Sequence, residues 1–218
     1  MGDHVLFFYG TLMSPQILHR VIHGRPDPEP WQKAYLTIQP ALLPGYRRHR
    51  VRGADYPGII ANPAHPGSQG TVGKNGEVVG PAAAAATAVS PQEDAFNAES
   101  RAPASVLGTL VTGLTDGDVY RLDLFEGDEY AKVKVRVKVR AKGTAADGVT
   151  SALTEEKGVR DGLESSLIPS HEVFRDEVEA LTYVWTAGRD RLEDLEWDFE
   201  AFKRDKLAWW VEADERDW

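Results

Sequence analysis

The chain has 218 residues, no cysteine and a formal net charge of -9 at pH 7, with 42% hydrophobic and 27% charged residues. This composition allows a hydrophobic core and excludes disulfides, thiolate nucleophiles and cysteine-ligated zinc, while the negative charge disfavours nucleic acid as a partner. No apolar run approaches the roughly 20 residues of a membrane-spanning helix, and the residues before the first apolar run lack the basic region of a signal peptide. We therefore expect a cytoplasmic protein without membrane association, built as a single domain over residues 1–218.

The first elements are a strand and a helix. Residues 5–9, VLFFY, form a continuous apolar and aromatic run that stops at Gly10, which predicts a buried strand. Ser14 can cap a helix, and Pro15 suits its first turn because the N–H that proline lacks has no intrahelical partner there. The helix is expected to end near Gly24, and its apolar residues share one face: Ile17, Leu18, Val21 and Ile22.

The middle of the chain predicts short strands around one helix. Residues 34–63 contain β-prone pieces broken by Pro-Gly turns, and another strand covers residues 106–111 or a little more. A helix is predicted over residues 117–126, with Thr115 or Asp116 as its cap and a glycine at its end. The pattern is that of one mixed α+β domain, in which a small curved sheet or barrel carries a few helices.

Two segments are predicted to be polar insertions. Residues 65–105 are rich in Gly, Ala, Pro and Ser and cannot bury enough apolar surface to offset the entropy of ordering, which predicts disorder. The second insertion covers residues 142–166. Before it, residues 130–140 alternate valine with lysine or arginine, and after it EALTYVWTAG predicts a further strand. Residues 192–211 predict one C-terminal helix with these apolar anchors: Leu195, Phe199, Phe202, Leu207 and Trp210.

The junction after the first strand is a candidate anion site. A strand that ends on a glycine and enters a helix exposes backbone N–H groups, and the helix dipole favours negative charge there. Residues 9–14, YGTLMS, could therefore hold a carboxylate or the oxygen of a polarised carbonyl. The alternative is that Gly10 only lets the chain turn, since such junctions are common. The sequence contains no phosphate-binding loop motif.

Glu126 is the candidate acid or base. In a helix over residues 117–126, Val119, Leu122 and Glu126 are spaced i, i+3 and i+7 and share a face. If that face is buried, burial and the C-terminal end of the helix dipole both raise the pKa of the Glu126 carboxyl, as suits a general base or acid. The alternative is a frayed polar end paired with an arginine. The neighbouring carboxylates are expected to be solvated: Asp123, Asp128 and Glu129.

Other clusters carry weaker signals. His19 and His23 have i, i+4 spacing, but without an H-E-x-x-H motif or a third ligand we interpret them as surface histidines and not as a metal site. The basic stretch GYRRHR, residues 45–50, could steer an anionic substrate, although a solvated strand face is the simpler interpretation. Trp209 and Trp210 are expected to dock on the core.

Four segments, taken in order, resemble the γ-glutamylcyclotransferase-like superfamily and, within it, the AIG2-like (avirulence-induced gene 2) branch. FFYGTL is similar to the substrate-loop motif of this family, and LLPGYRRHRVRGADYPGII to its LPGYRR…YP segment. VLGTLVTGLTDGDVYRLDLFEGDEY resembles the stretch that leads to its acidic motif, and YVWTAG with EWDFEAFK resembles its closing strand and helix. The gaps fall on the two predicted insertions.

This resemblance implies a small β-barrel flanked by helices, with an active pocket at one end. Members of the family release a γ-glutamyl group as 5-oxoproline by attack of its α-amine on its own γ-carbonyl. By position, Glu126 matches the proton acceptor, and the substrate loop matches Tyr9, Gly10, Thr11 and Leu12. The resemblance implies a small γ-glutamyl compound as substrate and no metal or cofactor, and it leaves protein partners unknown.

Two functions of other classes stay open beside this enzyme. One is a non-catalytic module that binds a small acid in the same pocket, and the other is an interaction protein with a vestigial pocket. One residue also departs from the family pattern. Lys132 stands where an arginine is frequent, two residues after the tyrosine of the acidic motif, and it keeps the charge but loses the bidentate fork.

Overall fold

The computed structural model describes residues 2–62, 104–140 and 174–212. The predicted insertion at 142–166 and all but the last two residues of the one at 65–105 lie outside this part. The strands are β1 His4–Phe8, β2 Thr37–Pro44, β3 Tyr46–Arg50, β4 Pro57–Ala61, β5 Ser105–Leu114, β6 Tyr130–Arg140 and β7 Phe174–Trp185. The helices are α1 Pro15–His23, α2 Pro30–Lys33, α3 Asp116–Glu126, α4 Phe199–Asp205 and α5 Leu207–Glu212, with 3-10 turns at Thr11–Met13, Gly127–Glu129 and Arg189–Arg191. Across these ranges, every helix is too short or too polar to cross a membrane.

Five strands close into a barrel in the order β1-β5-β2-β6-β7, and β3 pairs with β4 in a separate two-stranded sheet. Neighbouring barrel strands run antiparallel, except β1 and β7, which are parallel. The helices and the barrel share one apolar cluster, and a second cluster fills the barrel interior. The predicted α+β fold, a small barrel flanked by helices, is confirmed.

From Val5 onward, strand β1 is apolar because both of its faces become buried. Phe7 points into the cluster inside the barrel, while Leu6 and Phe8 belong to the cluster between the barrel and the helices. All three side chains are almost fully buried. A strand covered on both sides has no reason to alternate apolar with polar residues, which explains the continuous run in the sequence.

The helices start and end near the predicted residues, although Ser14 stands at the cap position of α1 without a capping hydrogen bond from its side chain. Pro15 is the first residue of α1, and Gly24 closes that helix in the left-handed conformation, with φ 73°. Thr115 caps α3, because its Oγ1 accepts a hydrogen bond from the N–H of Asp118 (3.2 Å) while Asp118 Oδ2 accepts one from the N–H of Thr115 (2.9 Å). At its other end, α3 stops at Glu126, directly before Gly127.

The C-terminal segment differs from the prediction of one helix. Asp198 starts α4, because its carboxylate accepts hydrogen bonds from the N–H groups of Glu200 and Ala201. The helical conformation is interrupted at Lys206, with φ -127°, before α5 begins. Leu195 therefore precedes the helices, and it is 64% exposed instead of anchored. The other predicted anchors pack on the core: Phe199, Phe202, Leu207 and Trp210.

The sequence had suggested that both histidines of α1 lie on the surface, but one of them is buried. His19 is 6% exposed, and its ring stacks on that of His23 with the ring centroids 5.5 Å apart. Burial lowers the pKa of His19 to about 4, so its ring is neutral at pH 7. Within the described ranges, no three His, Asp or Glu side chains are arranged to hold a metal ion.

Strand β3, which carries the basic stretch, is not the solvated face that we predicted. The C-terminal segment covers it, because the N–H of Arg50 donates to the carbonyl of Leu195 (3.0 Å) and the N–H of Glu193 donates to the carbonyl of Arg50 (2.9 Å). His49 is buried under the same segment. The side chain of Arg48 is only 11% exposed. A pattern of charges alone could not show this, since the covering residues are far along the chain.

Candidate active site

A cavity of about 150 Å³ lies between the turn that follows β1, strand β4, the end of α3 and helix α5. Its wall contains Glu126 together with all four residues of the predicted substrate loop: Tyr9, Gly10, Thr11 and Leu12. The fold therefore joins the two candidate sites that the sequence presents more than a hundred residues apart. The wall also contains aromatic side chains and a second acidic residue, Glu129.

The loop after β1 reaches α1 through a 3-10 turn, Thr11–Met13, instead of entering the helix directly. The first hydrogen bond of this turn runs from the N–H of Met13 to the carbonyl of Gly10 (3.0 Å). The N–H groups of Thr11 and Leu12 precede that bond, so they have no acceptor within the turn. Since both residues line the cavity, these donors are candidates for contact with a ligand.

Gly10 is required by close packing and not by backbone conformation. Its φ of -121° lies outside the left-handed region that favours glycine. A Cβ atom at this position would lie 2.9 Å from Cγ of Pro57, the first residue of β4. The apolar run of β1 therefore ends on glycine because the loop passes directly against β4 at the cavity wall.

Glu126 is half-buried and lines the cavity. Burial, and next the negative charge of Asp123, raise the pKa of its carboxyl from the ordinary value of 4.5 to about 8. No arginine or lysine of residues 2–62, 104–140 and 174–212 forms an ion pair with it. Glu126 is thus largely protonated at pH 7 and can gain or lose a proton at mildly alkaline pH.

Asp123 is exposed, as we expected, but its carboxylate is engaged by two neighbouring side chains. Its carboxylate accepts hydrogen bonds from Nζ of Lys132 (2.8 and 2.7 Å) and from the hydroxyl of Tyr183 (2.8 Å). It remains 42% exposed, outside the cavity wall. Lys132, the residue that departs from the family pattern, therefore keeps an ionic role and holds the carboxylate that raises the pKa of Glu126.

Glu129 was predicted to be solvated, and this prediction is wrong. The 3-10 turn Gly127–Glu129 carries it back into the cavity wall. One of its oxygens accepts a hydrogen bond from the Tyr56 hydroxyl (3.0 Å), and the other pairs with Arg191. Arg191 in turn lies over the ring of Trp185, 5.2 Å from its centroid. Because its charge is matched in this way, Glu129 fixes the wall, whereas Glu126 has no such counter-ion among the residues that the structure describes.

Besides Tyr56, three tyrosines line the cavity, and their hydroxyl groups are already engaged. The hydroxyl of Tyr9 donates to the carbonyl of Tyr183 (2.7 Å), that of Tyr130 to the carbonyl of Pro57 (2.8 Å), and that of Tyr183 to Asp123. Burial raises the pKa of all three hydroxyls above the ordinary tyrosine value. They therefore remain neutral and hold the walls together instead of exchanging protons with a ligand.

The C-terminal helix α5 closes one side of the cavity with Trp210. This side chain is buried and packs edge to face on Phe125 and Phe202, with ring centroids 6.2 and 6.0 Å apart. The prediction that Trp210 docks on the core is confirmed, but Trp209 is 51% exposed. Sequence reasoning identified Trp210 as a core anchor and missed its place in the cavity wall, for which no local pattern gives a signal.

Comparison with known proteins supports the resemblance read from the motifs. Residues 6–88 match the model of a family described as gamma-glutamyl cyclotransferase, AIG2-like. AIG2-like protein B of Arabidopsis thaliana is 24% identical over 210 residues, which cover 96% of this chain and 75% of that protein. Protein AIG2 C of the same plant is 22% identical over 201 residues, 92% of this chain and 73% of that protein.

Two solved structures are also similar to this chain. A solution structure of an Arabidopsis thaliana protein is 22% identical and covers 92% of this chain and 80% of that one, with a TM-score of 0.44. The crystal structure of a gamma-glutamyl cyclotransferase specific to glutathione from yeast is 12% identical and covers 90% of this chain and 74% of that one, with a TM-score of 0.39. The family model and the plant relatives confirm the predicted resemblance to the AIG2-like, γ-glutamylcyclotransferase-like family.

Proposed function

We propose that this protein is a γ-glutamylcyclotransferase, which releases 5-oxoproline from a small γ-glutamyl compound with Glu126 as general base. The observation that carries the proposal is that Glu126 and the loop Tyr9–Leu12 line one small cavity. The loop lies within the residues that match the family model, and Glu126 lies beyond them. The role of Glu126 is therefore supported by the cavity and by its motif.

The reaction is a ring closure within one molecule. The α-amine nitrogen of the glutamyl group attacks its own γ-carbonyl carbon, so a new C–N bond closes a five-membered lactam. The carbonyl oxygen carries a negative charge in the tetrahedral intermediate, and the original C–N bond then breaks to release 5-oxoproline and a free amine. Because the nucleophile and the electrophile belong to one substrate, the cavity accelerates the reaction largely by holding the reactive conformation.

Glu126 is suited to move the proton that this reaction displaces. The α-ammonium must lose one proton before its nitrogen can attack and a second as the lactam forms, while the leaving nitrogen gains one proton to depart as an amine and a second to become an ammonium ion. A carboxyl with a pKa of about 8 accepts the first proton when ionised and returns it to the leaving group. Glu129 is paired with Arg191, so of the two described carboxyls in this cavity wall Glu126 is the one available for such an exchange.

The loop is suited to hold negative charge. The N–H groups of Thr11 and Leu12 have no acceptor within their turn, and these two residues line the cavity with Gly10. Backbone donors of this kind stabilise an oxyanion without rearrangement, and they can also bind the α-carboxylate of the substrate. The neutral tyrosines and Trp210 enclose the remaining space and reduce the access of water.

The test is release of 5-oxoproline by the full chain from glutathione, a γ-glutamyl amino acid and γ-glutamyl-ε-lysine, followed by mass spectrometry. We expect release from at least one compound, and a loss of about 100-fold or more in Glu126→Gln, the scale of general acid–base catalysis. Asp128→Asn, which removes an exposed carboxylate outside the cavity wall, is the matched control and should retain activity.

The other outcomes each reject part of the proposal. Full activity in Glu126→Gln would show that this residue is not the base. Failure of the folded wild-type protein to release 5-oxoproline from any compound would refute the cyclotransferase. Tight binding of a γ-glutamyl compound without turnover would instead support the non-catalytic module that binds a small acid in this pocket.

A further inference from the structure

Arg48, from the basic stretch of β3, lies directly behind the substrate loop. Its Nη1 donates to the carbonyl of Tyr9 (3.0 Å) and lies 3.5 Å from the carbonyl oxygen of Leu107. The ladder between β1 and β5 ends at the pair Phe8 and Thr109, and both carbonyls lie beyond this last pair. The guanidinium thus binds the two strands at the point where the chain leaves the barrel and enters the cavity wall.

The guanidinium is itself held from two other directions. Nη2 pairs with Glu196 (2.9 Å), and the group lies over the ring of Trp197, 5.6 Å from the ring centroid. Trp197 is buried and donates from Nε1 to the carbonyl of Asp55 (2.8 Å). A planar guanidinium that lies over a ring and is paired in this way has little rotational freedom, so it provides a rigid contact for Tyr9.

Holding the carbonyl of Tyr9 also orients the next N–H group. The carbonyl of Tyr9 and the N–H of Gly10 belong to one planar trans peptide unit and point in opposite directions. Tyr9 is anchored at its other end by the hydrogen bond from its hydroxyl to Tyr183, and Gly10 is packed against Pro57. The contact from Arg48 therefore fixes the plane of the peptide that begins the loop.

We propose that Arg48 is a positioning residue, which fixes the Tyr9–Gly10 peptide so that the N–H groups of the loop meet the negative charge that develops on the substrate. This inference rests on the proposed cyclotransferase function. Arg48 is absent from the cavity wall, so it acts through the loop and does not touch the substrate. Fixed donors contribute most to the rate when their geometry does not have to change during the reaction.

The experiment compares three variants of the full chain with the compound that the wild-type protein turns over fastest. Arg48→Met keeps the length of the side chain and removes its donors, Arg48→Lys keeps one charged group, and Glu196→Gln removes only the ion pair behind Arg48. We expect Arg48→Met to lower kcat about 100-fold, the scale of a misplaced catalytic group, with KM changed less than about threefold. Arg48→Lys should recover part of the loss, and Glu196→Gln should stay within about threefold of the wild type.

A merely structural role gives a different pattern. In that case kcat falls only in proportion to the folded fraction, which circular dichroism measures in the same samples, and that outcome overturns the inference. The pKa of Glu126 is raised by burial and by Asp123, and Arg48 does not contribute to this shift. The pH at which the rate rises should therefore be the same in Arg48→Met and the wild type. A shift of this pH would contradict a role that is confined to the loop.

A second measurement separates failure of this inference from failure of the proposed function. Amide resonances of residues 10–12 are compared by NMR in the wild-type protein and in Arg48→Met, without substrate. We expect large shifts or broadening of these resonances in the variant, while amides of α3 stay unchanged. If the wild-type protein shows no turnover, this comparison still decides whether Arg48 holds the loop, since unchanged resonances at residues 10–12 refute it.

Discussion

The raised pKa of Glu126 has a cost in stability that Glu126→Gln should remove. The ordinary pKa of this carboxyl is 4.5, and its pKa in the folded protein is about 8. At a pH between these two values, the folded protein holds a proton on the carboxyl that the unfolded chain has lost. The unfolded state therefore binds fewer protons than the folded state, and the free energy of unfolding falls as the pH rises through this window. Glutamine does not titrate, so the variant should lose this part of the pH dependence.

The size of the effect follows from the shift in pKa. Each pH unit between the two pKa values changes the free energy of unfolding by about 1.36 kcal/mol, so the roughly three units from pH 5 to pH 8 give about 4 kcal/mol. Glu126 is only half-buried, and water at the open side of the cavity solvates part of the charge. We therefore expect a difference of about 2 to 4 kcal/mol between the pH dependences of the two proteins.

The assay is urea unfolding of the full chain at pH 5, 7 and 9, followed by tryptophan fluorescence. At pH 5 the wild-type protein and Glu126→Gln should differ by less than about 1 kcal/mol, and at pH 9 the variant should be the more stable by about 2 to 4 kcal/mol. Asp128→Asn controls for the change in net charge. A difference between wild type and Glu126→Gln that does not change with pH would refute the burial of an ionisable carboxyl in this cavity.

Two further predictions concern the surroundings of Glu126. Asp123→Asn should move the rising limb of the pH profile of kcat/KM to lower pH, because the negative charge of Asp123 raises the pKa of Glu126. The control Asp128→Asn should leave this limb in place. A limb that does not move in Asp123→Asn would contradict the coupling between the two carboxyls. Trp210→Ala should cost about 3 to 5 kcal/mol in urea unfolding because the ring is buried among aromatic neighbours. Trp209→Ala should cost less than about 1 kcal/mol because that ring is half-exposed, and equal losses in the two variants would refute the assignment of Trp210 to the core.

Elements with strong local signals could be predicted from the sequence. The cap at Thr115 and the glycine after Glu126 set the ends of α3, and the alternation of valine with charged residues set β6. The ordered motifs also indicated the family and selected Glu126 and the loop Tyr9–Leu12 as one site. These signals suffice because helix ends and strand faces depend on residues a few positions apart.

The same patterns misplaced side chains whose partners are distant in the sequence. Periodicity shows which face of an element a residue occupies, but it does not show which segment covers that face. Glu129 was assigned to solvent, although Arg191 and Tyr56 hold it in the cavity wall. Arg48 was assigned to a solvated strand, although the C-terminal segment buries it.

The sequence by itself therefore determined the local elements, the family resemblance and the residues proposed to do the chemistry. Only the tertiary structure decided what surrounds them: the raised pKa of Glu126, the neutralised charge of Glu129 and the rigid support behind Tyr9. The physical reason is that desolvation and charge pairing depend on distances in space, and closure of the barrel sets those distances by joining strands from both ends of the chain.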